Sequence, residues 1–278
     1  MKCSSSIDAR ALSGVFRIRA ERRGDRTYLA GREISKPFHL SKPYWTGRVL
    51  LVQAVNATAG VFAGDYLETA AEIETGAAVF LTTPSATRLY SMPEGTATAS
   101  QSFRIARGGW LESRPEWIIP QKACSFIQRT RIEWESGARF IYWEALAPGR
   151  VARGERFAYN HLAWELDLLA EGRRILRERV QLTPNNHALW SLQHPFDAAY
   201  YAAVYLVWDD PAAIEPLQGD IHGWKDTDSL IGGTLLDNCC WVFKILAQDA
   251  LALRRTLARL RSTLSTVVPY LAEPDRKL

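Results

Sequence analysis

The sequence predicts a mainly β protein of layered strands with one amphipathic helix near its C-terminal end. Three observations carry this prediction. Short apolar, β-branched runs recur between about residues 15 and 210, separated by Gly, Pro and Asn. No long helical segments alternate with them, which argues against a doubly wound α/β sheet. Beyond residue 245 the apolar spacing changes from that of strands to that of a helix.

The elements follow in order. RVLLVQAV (48–55) is a β-branched run, and AAVFLTT (77–83) is another, entered through the turn residue Gly76. FIYWEAL (140–146) is aromatic and β-branched, and Pro148-Gly149 ends it. Residues 173–182 and 198–208 continue the pattern. In the tail, Leu246, Ala250, Leu253, Leu257, Leu260, Leu264 and Val267 step alternately by four and three, which is one stripe of a helix. Arg254, Arg255, Arg259 and Arg261 fall on the other face, and Pro269 marks the exit. A second, weaker helix is expected over 225–236, interrupted by Gly232-Gly233. With no linker or repeat, the reading is a single domain over 1–278, strand-rich over 15–210 and helical over about 225–268.

The 278 residues are 47% hydrophobic and 23% charged, which provides enough apolar surface for a stable core. The longest apolar run, 200–208, stops at Asp209-Asp210 and is too short to span a bilayer. Residues 1–10 hold a Ser run and no apolar core, so a cytoplasmic protein is expected. The net charge of +4 comes with 27 arginines against seven lysines, spread among acids rather than gathered into a nucleic-acid motif. Cys3, Cys124, Cys239 and Cys240 make a poor disulfide framework and read as free thiols in a reducing compartment.

Familiar catalytic signatures are missing: there is no phosphate-cradling loop, no dinucleotide fingerprint and no nucleophile elbow. His39, His161, His187, His194 and His222 are scattered, and Cys239-Cys240 lack a second pair, so a permanent metal site is not expected. Three carboxylates stand out. Glu144 lies inside an apolar, aromatic strand; Asp65 follows the turn Ala63-Gly64; Glu155 follows Gly154. Either they are structural, in Arg–carboxylate pairs that fix turns, or they line a polar path or an interface.

Four segments resemble the urease accessory protein UreD family, called UreH in some organisms. GVFAGDYLE (60–68), with Gly64 and Asp65, is similar to its G-G-x-x-x-G-D-x-L-x signature. LTTPSATRLY (81–90), with Thr83, Arg88 and Tyr90, is similar to L-T-T-Q-x-A-T-K-x-Y. WLESRPEWIIP (110–120) resembles L-E-W-L-P-x-x-x-I-P. EALAPGRVARGERF (144–157), with Gly149, Arg150, Gly154 and Glu155, resembles E-x-x-x-x-G-R-x-A-x-G-E-x-F, the most specific of the four. Pro84, Arg88 and Ala59 depart from the family's Gln, Lys and Gly, and the Trp-containing end is missing.

The resemblance implies a helically wound β fold and a role as a non-enzymatic scaffold or metallochaperone. It would assist nickel insertion into apo-urease together with UreF and UreG. Nickel would be a transported ion rather than a bound cofactor. Under this reading Asp65, Glu144 and Glu155 serve as transient oxygen ligands along an internal passage. Gly64, Thr83, Arg88, Tyr90, Gly149, Arg150 and Gly154 hold structure or interface. The competing role keeps Glu144 or Glu155 in an ion pair with Arg150. Two other functions are alternatives: a UreD-like accessory to another metalloenzyme, and a carbohydrate-active β-protein with paired carboxylates.

Overall fold

Two burial patterns sort the strands. In β1 (Ser13–Arg23) and β12 (Ser125–Trp134) buried residues alternate with exposed ones, the mark of a sheet with one face on the core. In β5 (Val49–Asn56) and β7 (Ala78–Thr82) nearly every residue is buried, so that sheet is covered on both faces. These observations come from a computed structural model describing residues 11–183, 200–224 and 226–272. Cys3, His187 and His194 lie outside the described residues.

The remaining strands are β2 (Arg26–Ile34), β3 (Phe38–Leu40), β4 (Tyr44–Thr46), β6 (Tyr66–Ile73), β8 (Thr87–Leu89), β9 (Ala97–Ile105), β10 (Trp110–Arg114), β11 (Ile118–Pro120), β13 (Arg139–Leu146), β14 (His161–Ala170), β15 (Arg173–Leu182), β16 (Tyr200–Val207), β17 (Ser229–Leu236) and β18 (Cys240–Ala247). In the first sheet β1, β6, β9, β12 and β14 lie side by side in parallel. In the second, β5, β7, β10 and β13 do the same. The chain passes from one sheet to the other at each coil, so the strands are helically wound, and β8 and β11 pair on a short third side. Antiparallel strands complete both sheets: β2 and β15 flank the first, and β16, β18 and β17 extend the second.

The main core fills the space between the sheets, with Phe16, Phe103, Ile132, Phe140 and Tyr205. A second core lies on the far side of the second sheet, under helix α2 (Ala250–Leu264). Asp249 caps this helix by accepting the Ala252 N–H at 2.8 Å. Leu253, Leu260 and Leu264 are fully buried against Trp110, Val204 and Phe243. The expected stripe is therefore the packing face, but Leu246 belongs to β18 and Val267 follows the helix end. Arg261 does not sit on the solvent face: its guanidinium reaches the buried Glu112.

The helix expected over 225–236 is corrected to strand β17, and a different short helix, α1 (Glu215–His222), precedes it. Local propensity lost to pairing: β17 lies along the apolar β18, and a Cβ at Gly233 would come within 2.7 Å of the Phe243 ring. A glycine that reads as a helix interruption serves instead as a place where strand and ring meet.

Candidate functional site

The site starts from a charge pattern in apolar strands. Strand β13 carries one acid, Glu144, and β18 one base, Lys244. Register places Glu144 beside Ala203 of β16, and Ala203 beside Lys244. From the facing sheet, Glu178 of β15 reaches the same space. A cavity of about 570 Å³ opens between the sheets, and Glu144, Glu178, Tyr142, Tyr201, Tyr205, Gln101 and Gln128 lie along its wall.

At its polar end the groups form one network. Tyr142 donates to Glu144 at 2.9 Å, and Gln101 Oε1 lies 2.9 Å from the same hydroxyl. Lys244 donates to Glu178, to Tyr201 at 2.9 Å and to Tyr205 at 2.8 Å, while Tyr205 donates to Glu178 at 3.0 Å. Burial pushes the Glu144 carboxyl up to about 7; the Tyr142 bond and the Lys244 charge pull it down, and Glu178 adds to the rise. Burial likewise pushes the Tyr142, Tyr201 and Tyr205 hydroxyls up, so they remain donors.

A second pocket, about 470 Å³, lies on the other side of the sheet beneath α2, lined by Arg114, Trp117, Trp143, Arg254 and Arg261. Pro115, Glu116, Glu144 and Ala145 line both spaces, at the place where the chain leaves β10 before entering β11.

The expected site residues take different positions. Glu144 faces the cavity and is not paired with Arg150. Glu155 is the residue that holds Arg150, through two hydrogen bonds, and its carboxyl is lowered by that guanidinium. Glu155 also accepts the Lys122 N–H at 3.1 Å. Asp65 is buried in its own turn: one oxygen accepts the Leu12 N–H at 2.9 Å and the other the Phe62 N–H at 2.8 Å. Neither Asp65 nor Glu155 lines the cavity. Among the described residues, no three His, Cys, Asp or Glu side chains gather as a metal cluster. Burial raises the Cys239 and Cys240 thiols, which works against a thiolate ligand.

The other motif residues shape the rim. Thr82 Oγ1 donates to the Arg114 carbonyl at 2.7 Å, and Thr83 Oγ1 accepts the Glu116 N–H at 2.8 Å, tying the β7 end to the 115–117 crossing. Pro84 follows the end of β7, where no ladder donor is needed. Arg88 is exposed at the cavity wall, its carbonyl accepting the Val61 N–H at 2.8 Å. Tyr90 stacks on Phe62 with centroids 4.7 Å apart. Gly64 and Gly154 turn with positive φ. Gly149 has φ 145°, and a Cβ there would approach the Glu155 carbonyl oxygen to 2.4 Å. Gly149→Ala should therefore cost about 1–3 kcal/mol and displace the Arg150–Glu155 turn. Thermal melting checks this, and an unchanged midpoint would refute it.

Sequence reasoning missed Glu178, Lys244, Tyr201 and Tyr205. A signal existed for Lys244, a lone charge in CWVFKILA, as it did for Glu144. Glu178 had none, because β15 is charged along its length and the cavity is formed by the facing sheet.

The family profile described as UreD urease accessory protein matches residues 13–276. The chain is 36% identical over 270 residues to "Urease accessory protein UreD" of Opitutus terrae, covering 96% of this chain and 99% of that protein. It is 31% identical over 250 residues to the protein of that name from Herpetosiphon aurantiacus, covering 88% and 85%. A Pseudomonas putida protein of the same name is 30% identical over 249 residues, covering 89% and 87%. Wound strands, four ordered motifs and matches along nearly the whole length agree: this chain belongs to the UreD urease accessory protein family.

Proposed function

We propose that the chain acts in urease maturation as a non-enzymatic scaffold that passes nickel toward apo-urease, in the cytoplasm and together with UreF and UreG. The observation that carries this reading is Glu144, a carboxylate at the wall shared by the cavity between the sheets and the pocket under α2. A borderline divalent ion moving through protein needs oxygen ligands that bind it and release it. Glu144, Glu178 and the tyrosine hydroxyls beside them supply such oxygens in one place. Asp65 and Glu155 belong to this reading as the supports that fix the turns at 60–68 and 149–155. No helix among the described residues is long and apolar enough to cross a membrane.

Co-expression with UreF, UreG and apo-urease, followed by pull-down and a urease assay with nickel, tests the proposal. A complex containing this chain and urease activity that depends on it are the expected results. A folded chain that binds none of the three, with activity the same in its absence, would overturn it and direct the search to another metalloenzyme.

A further inference from the structure

We propose that Lys244 is a resident counter-cation at the edge of the cavity, holding oxygens of its wall until an incoming divalent cation displaces it. This inference rests on reading the cavity as a cation passage. An ammonium has three donors, and all three of Lys244's go to oxygen: the Glu178 carboxylate and the Tyr201 and Tyr205 hydroxyls. The side chain therefore occupies a nest of oxygens that a small hard or borderline cation would also use.

The Lys244–Glu178 pair is partly exposed, with 37% and 25% of the side chains open to solvent, and its neighbours add a second acid. Ala203 stands between Lys244 and Glu144 on the sheet, and its small side chain leaves the ammonium in the field of a second carboxylate. Among the described residues, no Lys, Arg or His lies within salt-bridge distance of Glu144; its hydrogen bond comes from the neutral Tyr142 hydroxyl. One ammonium thus bonds one carboxylate and lies in the field of a second. A divalent cation that took both as ionised ligands would match their combined charge, and Lys244 does not.

The ammonium also has somewhere to go. It already lies 4.9 Å from the Tyr205 ring centroid and 5.6 Å from that of Tyr201, and aromatic faces hold cations. Its four-carbon stem allows a short shift from hydroxyl to ring face without movement of β18. Lys244 would then keep the carboxylates ordered without metal, and weaken metal binding enough for release.

The test is nickel binding by isothermal titration to the full chain, comparing the parent with Lys244→Met, which keeps the stem and removes the competing charge. About tenfold tighter binding is expected for Lys244→Met, and weaker binding than the parent for Glu178→Gln. Should Lys244→Met fail to fold, Lys244→Gln, which keeps hydrogen bonding to the tyrosines, carries the same expectation. Binding no tighter than the parent, or no binding by either protein, would overturn the inference and leave Lys244 as a structural ion pair. The proposed function has a separate readout: a parent chain that supports nickel-dependent urease activation beside an unimproved Lys244→Met fails this inference alone.

Discussion

Glu144→Gln should give a protein that melts higher than the parent at about pH 8 and yet no longer supports nickel-dependent urease activation. The carboxyl is raised from 4.5 to about 7 by burial. Between those values the folded chain holds a proton that the unfolded chain has released. Stability is then fully present below about pH 4.5 and is lost as pH rises through about 7. A neutral Gln escapes that loss. The full shift corresponds to roughly 3 kcal/mol, and the part-exposed position of Glu144 reduces the expected gain to about 1–2 kcal/mol. Melting curves at about pH 5 and pH 8 should show the variant's advantage widening with pH. A gap that stays constant would remove the buried-carboxyl account; full activation by the variant would remove Glu144 from the nickel path.

Glu112→Ala should be the most damaging single change to the fold. Glu112 is 2% exposed on β10, and its two oxygens take the Arg261 guanidinium at 3.2 and 3.1 Å. Arg261 also donates to the Leu271 carbonyl at 2.7 Å, so one arginine ties the sheet, α2 and the final turn together. Truncating the acid leaves a mostly buried guanidinium without its carboxylate, at a cost of about 3–5 kcal/mol. Against a total stability of about 5–15 kcal/mol, that is enough to leave part of the population unfolded at 37 °C. Denaturant titration of Glu112→Ala measures it, and a loss below about 1 kcal/mol would show that the pair does not hold the helix. The double variant Glu112→Met with Arg261→Met should recover part of the loss, because it removes the Arg261 charge, while the mostly buried Arg114, 3.9 Å from Glu112, still loses that acid.

Particular residues show how far the sequence could be read. The runs at 48–55, 77–83 and 140–146 announced buried strands, and they are β5, β7 and β13. The step pattern from Leu246 to Val267 points to a helix and its packing face, and the helix itself covers Ala250–Leu264. The helix expected over 225–236 is instead strand β17, because pairing with β18 overrides local propensity, and the Phe243 ring explains why glycine stands at 233. Helical spacing puts Arg261 on the polar face, because spacing alone does not reveal an acid 149 positions earlier.

What the sequence determined by itself is what depends on near neighbours: apolar strand runs, the helix stripe, turn glycines and the four ordered motifs that mark the family. It also singled out Glu144, since one carboxylate among apolar neighbours is anomalous whatever the fold. Tertiary structure decided everything that depends on pairing across distance. It separated Glu144, facing the cavity, from Asp65 and Glu155, whose oxygens hold backbone and Arg150. It also brought Glu178 and Lys244, 66 residues apart, into contact across two sheets. Charges interact through space with a strength set by separation and by the water excluded between them, and sequence separation measures neither.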